Sequence, residues 1–419
     1  LEPDLRLFSD HVGFVYDEKE GNEVVRMDLS SYGLPSHFYR DLTDNKVDLK
    51  VDYKQPFGQR KGSHLKFGGL YSIKDRSFNE YRFKIAKEPK PIDGVEADYT
   101  DYLSDFGIML ESPFTASNYY TDDSRKTNLY KGDEDIWAAY GMVVHSLTSK
   151  LKAVTGVRIE GTNISVKSAE ESLGAGSIDA VDVLPSLNLI YALNPKSNLR
   201  FSASQTIARP NMREMAPFFS FDFLGGFLYS GNDSLQRTKI TNLDLRWELF
   251  ARPGEMFAVS AYFKHFKDPI AKVFSPVSST GEITFENLDA AQVYGIELEW
   301  RKSLSFVHER LKNFRFAANV SYIYSQMEIP EADLAAAEAN YLEIKEKRPF
   351  QGQSPYLINF NLYYQQDSIG LSSSLTFNMF GKRLFEIGAT GNPDIYEMPR
   401  PLLNYNITKK IKKNIIDNK

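Results

Sequence analysis

The chain has 419 residues, enough for one large fold or two to three ordinary domains, and it is rich in rings, with 29 Phe and 24 Tyr. A formal charge of -5 with dispersed Lys and Arg gives no footprint for nucleic acid, and the lack of cysteine excludes disulfides, thiolate metal sites and a cysteine nucleophile. No run approaches the roughly 18 consecutive apolar residues of a membrane helix, which leaves soluble folds and membrane β-barrels open.

The chain begins at Leu1 without a Met or a signal-like segment, so a longer precursor is expected. Residues 1–30 leave room for a strand pair. Period-two alternation then predicts strands over 44–54, 63–85, 134–148, 150–164, 182–193, 198–208, 237–251, 255–267, 291–303, 313–327, 354–365, 370–386 and 400–411. Helical patterning is confined to 331–346, EADLAAAEANYLEIKE, behind Pro330. Short turns at 56–62, 149, 194–197, 252–254, 304–312 and 366–369 alternate with long connections at 86–133, 165–181, 209–236, 268–290, 328–353 and 387–399. A sandwich or propeller has no reason to keep that order. A membrane barrel does, with tight turns on one rim and large loops on the other.

The faces of the strands agree. In QVYGIELEWRKSL (292–304), Tyr294, Ile296, Leu298 and Trp300 share one side, expected to face lipid. Glu297, Glu299 and Arg301 share the other, expected to face a wet lumen. Over 354–365, Tyr356, Ile358, Phe360, Leu362 and Tyr364 form a second lipid-facing row, with Asn359 and Asn361 opposite. Aromatics bracketing an aliphatic band suit the two interfacial girdles of a barrel.

The stretch VLPSLNLIYALNPKSNLRFSASQTIARPNMREMAPF (183–218), with SQTIARPN its most specific part, resembles the C-terminal barrel half of TonB-dependent outer-membrane receptors, of the type with an N-terminal carboxypeptidase-regulatory-like domain. The likeness continues through NLDLRWELF (242–250), PGEMFAVSAYFKHFKDPI (253–270), YGIELEWRKSL (294–304), GQSPYLINFNLYY (352–364) and IYEMPRPLLNYNITKKI (395–411), and takes in LKFGGLYSIKDRSF (65–78) and GVRIE (156–160). It implies an antiparallel transmembrane barrel of about 22 strands closed by a plug. The implied partners are outer-membrane lipids, an inner-membrane TonB–ExbB–ExbD energy-coupling complex and a surface lipoprotein. The expected fold is therefore all-β, with residues 1–419 forming roughly 13 to 15 strands of such a barrel. The plug and the TonB box are expected outside this chain.

Residues and spacing point away from catalysis. Glu297 and Glu299 sit about 6.6 Å apart along a strand, a spacing compatible with acid–base work in a soluble all-β enzyme, yet Arg301 beside them fits a solvated lumen better. The six histidines are dispersed, and neither a protein-bound metal nor a cofactor is expected. GAGSID (174–179) lacks the strand-to-helix context of a phosphate cradle and reads as a flexible tip. The stronger candidate is the 209–236 connection, where Phe218, Phe219, Phe221, Phe223, Phe227 and Tyr229 crowd among glycines beside Arg209 and Arg213. Tyr119 and Tyr120 repeat the theme in the 86–133 connection. Aromatic clusters of this kind mark a binding surface, a lid or a membrane-inserted loop. The expected function is active import of a bulky nutrient, a ferric siderophore first and an oligosaccharide or peptide behind it; the rival is a passive porin-like or adhesive barrel.

Overall fold

A computed structural model describes residues 7–9, 12–17, 22–27, 36–58, 62–87, 118–122, 124–221, 228–274, 282–329, 334–335, 347–388 and 393–411; for 7–27, 36–38, 82–87, 118–122 and 220–221 it describes the backbone alone. Thirteen long strands follow one another in chain order. They are β1 (Ser36–Pro56), β2 (His64–Lys87), β3 (Tyr130–Ser146), β4 (Leu151–Ser168), β5 (Ala175–Asn194), β6 (Ser197–Ala208) and β7 (Thr238–Arg252). The wall continues through β8 (Glu255–Lys267), β9 (Ala290–Ser303), β10 (Phe314–Glu328), β11 (Tyr356–Gln366), β12 (Leu371–Phe380) and β13 (Leu402–Lys409). Each hydrogen-bonds antiparallel to the strands before and after it, so topology adds no crossover to the sequence order. Leu7–Ser9 extends the sheet past β1, and Val12–Asp17 pairs with Asn22–Met27 in a hairpin of its own, within the segment where a pair was expected. The sheet is not closed: among the described residues β13 is paired on one side only.

The register fixes which side chains share a face. Ile296 stands opposite Ala261 and Tyr322, while Glu299 stands opposite Ala258 and Asn319, so the alternation of one strand is carried in phase onto its neighbours. One face is apolar and open, with Ile296 58% exposed and Tyr294 and Tyr322 also exposed. Its rings meet across strands: Trp300 lies 5.1 Å from Phe316, which lies 5.1 Å from Phe360. Tyr356, Ile358, Phe360, Leu362 and Tyr364 oppose Tyr322, Val320, Ala318, Phe316 and Phe314 on this same face. Where a large ring needs room, glycine supplies it. An added Cβ at Gly161 would fall 2.1 Å from the Trp137 indole, because that ring lies across the neighbouring strand.

The other face is polar and cross-linked. Arg200 Nε donates to Glu248 at 2.7 Å, Arg246 reaches both Glu248 and Glu299 at 2.9 Å, and Arg301 binds Glu299 at 2.7 Å. This run of ion pairs spans β6 to β9. The pairs neutralise charge locally across strands, and because they are partly exposed each contributes little on its own.

Three expectations are corrected. The 165–181 connection is short, because β4 and β5 run on to a single 3-10 turn at Glu171–Leu173. GAGSID is accordingly ladder and not a tip, Ala175 pairing with Lys167. The strand expected at 370–386 breaks after Phe380, and Arg383–Glu386 joins a different sheet. Of the helix expected at 331–346 only 334–335 fall within the described residues, and these are helical.

Gly161→Val is expected to lift Trp137 from its seat and to cost about 1–3 kcal/mol in urea unfolding of the micelle-folded protein, with a shift in tryptophan emission. Gly141→Val is the control, since nothing lies within 4 Å of a Cβ there.

Candidate functional site

Above the wall, the long connections are knitted into a cap. The ladder between β5 and β6 stops at Ser186–Ser204, next to Pro185, which has no N–H to continue it. Beyond that point β5 pairs with β4 alone. The opening is spanned by Arg237, which donates twice to the buried Asp182, and by the connection that leaves β6.

That connection starts with Arg209, whose Nε donates to Thr162 Oγ1 at 2.8 Å and whose guanidinium also binds Glu160. Asn211 and Glu214 then form a reciprocal capping box, each side chain bonding the other's backbone N–H at 3.0 Å, around the helical turn Met212–Met215. The turn buries Met212 and Met215 with Phe218, Tyr229, Leu235, Ile283 and Phe285 against Tyr130, Ile164, Val166 and Ile178. These four wall residues lie on the polar-facing side of β3 to β5, so the cap folds inward over the rim. Gly176 allows the close approach: a Cβ there would meet Met215 O at 3.1 Å.

A second sheet crosses the cap. Phe219–Phe221 pairs with Leu228–Ser230, which runs parallel to Glu282–Asn287, which pairs with Ile270–Phe274. A parallel bridge from Val273 to Ile387 ties in Arg383–Glu386, itself paired with Ile395–Glu397. Gln351 fastens the junction, accepting from Lys272 N at 2.8 Å and donating to the carbonyls of Lys272 and Phe385. Four connections thus contribute to one structure.

At its centre Tyr229 donates to Glu386 at 3.0 Å, with both residues buried, while Arg213 and Lys272 lie 5.5 and 5.1 Å from its ring centroid. Beside it is a cavity of about 400 Å³ lined by Glu214, Lys272, Phe285, Gln351, Arg383 and Glu397. Burial holds the Glu214 carboxyl above its ordinary value, against the opposing pull of the Asn211 backbone bond, Lys272 and Arg213. The lining offers both signs of charge on an apolar floor. Such a cavity can seat a polar ligand through several weak contacts.

The residues expected at the site divide by position. Phe218 is 2% exposed and packs 5.2 Å from Phe78 and 5.0 Å from Tyr130, inside the cap. Phe219 is exposed. Arg209 is held by the wall and Arg213 by Tyr229. Phe221 is described by backbone alone, as are Tyr119 and Tyr120, which lie in a strand paired with the end of β2; Phe223 and Phe227 lie outside the described residues. Glu299 and Arg301 are in the ion-pair run, and Glu297 shares their face. Sequence patterning missed Lys272, Gln351, Arg383, Glu386 and Glu397. Lys272 and Glu397 lie in strands too short to show alternation, Gln351 lies in a turn, and Arg383 and Glu386 fall in the stretch read as the end of one long strand. Among the described residues no cluster suits a metal ion.

A family profile described as TonB dependent receptor-like, beta-barrel, matches residues 6–401. No curated protein sequence matches the chain. Among solved structures the chain is similar to the copper transporter OprC, at 12% identity and a TM-score of 0.56, covering 92% of this chain and 51% of that one. It is also similar to the ferric citrate transporter FecA in unliganded form (10%, 0.56, 94% and 50%) and to the siderophore receptor PiuA from Acinetobacter baumannii (10%, 0.55, 91% and 51%). It spans about half the length of these proteins. At such identities the likeness speaks for the fold.

Tyr229→Phe removes the donor to a fully buried carboxyl and is expected to cost about 1–3 kcal/mol, read as a lower melting temperature and faster proteolytic nicking of the cap. Because the Glu214 value is raised, its contribution is fully present below the ordinary carboxylate value and is lost as pH rises through the folded value. Glu214→Gln should therefore flatten that part of the cap's pH–stability curve.

Proposed function

We propose that this chain, which belongs to the TonB-dependent receptor β-barrel family, supplies a section of wall and the outer cap of an active importer of a bulky nutrient. Members of this family reside in the outer membrane. The apolar face carrying Tyr294, Ile296, Leu298 and Trp300, and the row from Tyr356 to Tyr364, meets lipid in this reading. The face carrying Glu297, Glu299 and Arg301 meets the lumen and the plug that the rest of the protein provides. Substrate settles on the cap and its cavity, beside exposed Phe219, with the candidates Phe221, Phe223, Phe227, Tyr119 and Tyr120 of the 209–236 and 86–133 connections contributing, while buried Phe218 supports the surface from within. A TonB complex, powered from the inner membrane, then frees the plug. A surface lipoprotein would assist by delivering or covering cargo.

The observation that carries this reading over a passive pore is the inward cap. A passive pore needs an open path, whereas a receptor needs a built surface on which to hold cargo, and four connections packed into one structure over the polar side of the wall suit the second. Ferric siderophore is the first substrate class to try, since solved relatives of this fold include a siderophore receptor and a ferric citrate transporter; oligosaccharides and peptides follow. No chemical step is assigned to the wall. Glu299, the residue best placed for one, is held between Arg246 and Arg301.

Cells producing the full-length receptor should accumulate a labelled substrate from this panel in a saturable manner, and a protonophore should abolish accumulation. Uptake that is linear in concentration and indifferent to the protonophore would defeat active import. Leu298→Arg should cost about 2–4 kcal/mol if it lies near the bilayer midplane. Glu299→Gln should change stability by no more than about 1 kcal/mol, because its ion pairs are partly exposed. Equal tolerance at the two positions, measured by unfolding from bilayers, would reverse the assignment of faces.

A further inference from the structure

The end of the wall opposite the cap holds a charge pattern that import does not require. In the short turns and the strand ends that flank them, Lys150, Lys152, Lys196, Arg252, Arg310 and Lys312 are exposed and without an ion pair among the described residues. The carboxylates of the same turns are Glu255, Glu309 and Asp367, and Glu255 is already engaged by Lys302 at 3.8 Å. Further into the wall the pattern differs, since Arg200, Arg246 and Arg301 each bind a carboxylate. Exposed cations without an ion pair among the described residues also occur toward the cap, as at Lys131 and Lys167, but carboxylates such as Asp133 and Glu171 accompany them there; what sets this rim apart is the excess of cations over carboxylates.

Apolar side chains stand among them. Phe306 is 56% and Val307 62% exposed; Ile369 is exposed in the next turn along the rim and Leu147 in the β3–β4 turn. Lys302 Nζ lies 5.4 Å from the Phe306 ring centroid, so cation and ring approach a surface together. Phe306 also follows the strand whose Trp300 begins the outward run of rings. An acidic protein partner would match the cations but would leave the Phe306–Val307 pair, continuous with the outward face, unexplained. An anionic lipid interface matches both, with phosphates on the cations and acyl-chain boundaries on the rings.

We propose that the short-turn rim is a docking surface for anionic phospholipid headgroups, phosphatidylglycerol or cardiolipin, in the leaflet it meets. This rests on the assignment of the outward face to lipid. The rim then draws a ring of negatively charged lipids around one end of the protein and fixes its depth and tilt.

The full-length receptor can be extracted from outer membranes, exchanged into mixed micelles of phosphatidylglycerol and phosphatidylethanolamine, and examined by native mass spectrometry for retained lipid. The expected result is a preference for phosphatidylglycerol of at least about fivefold, weakened at about 0.5 M salt. It should be lost in the combined variant Lys150→Glu, Lys196→Glu, Arg310→Glu, Lys312→Glu and kept when the three lysines are changed to Arg. If the charge-reversed protein does not fold, the same four positions changed to Gln carry the comparison, with a reduced preference expected. Equal retention of the two lipids, or an unchanged preference in the variants, overturns the proposal. So does displacement of phosphatidylglycerol by inorganic phosphate at matched concentration, or tight binding of a polyglutamate peptide with no lipid preference, which would signal a protein partner. A receptor that fails to fractionate with outer membranes defeats the barrel reading itself; one that fractionates there without anionic preference defeats this inference alone.

Discussion

Within hydrocarbon, an unbonded N–H or C=O has no water to turn to, and the strand alongside must supply its partner. That constraint shapes the wall. It demands an unbroken antiparallel ladder, which chain-order hairpins provide with the fewest choices, and β1 to β13 follow it without a crossover. It also explains where irregularity is allowed. Pro185 interrupts the ladder toward the cap end, and there a side-chain bridge from Arg237 to Asp182 ties the β6–β7 connection to β5 where the backbone pairing has stopped.

Given the ladder, alternation has to serve two solvents at once. The outward residues make no core in the soluble sense. Ile296 and Tyr322 stand open in the chain alone, and it is lipid that covers them in the reading proposed above. The inward residues neutralise one another locally, as Arg246 does between two carboxylates. Apolar packing of the usual kind occurs instead in the cap, around Met212, Met215 and Ile283. Wall and cap thus obey different rules: the wall is specified by period and register, the cap by close packing and individual hydrogen bonds.

That difference decides what could be read in advance. Period-two patterning found all thirteen wall strands because each repeats its signal over eight or more residues and has its phase confirmed by its neighbour. It fails in the outer parts of β4 and β5, where Ser, Gly and Glu dilute the apolar alternation, so that the chain reads as loop although the ladder runs on to Lys167 and Ala175. The cap was visible only as composition. The aromatics at 218–229 announced a packed structure, but nothing in FFSF or LYS says that one pairs with the other, or that Tyr229 reaches Glu386. Such contacts depend on three-dimensional proximity, and a single sequence carries no periodic trace of them.

The wall can be assembled by neighbours alone, each hairpin adding to the last. The cap cannot. Its bond from Tyr229 to Glu386 joins positions 157 residues apart, and its sheet takes strands from connections separated by much of the wall. Closing such distances before the intervening strands are fixed would cost chain entropy with little to repay it; once they are in place the separation is short. The cap is therefore the last part to form, and its completion records that strands β6 to β12 have found their places in order. A misregistered wall would be left with an unfinished, protease-sensitive crown, so the same knot of residues that shapes the mouth also marks a correctly assembled molecule.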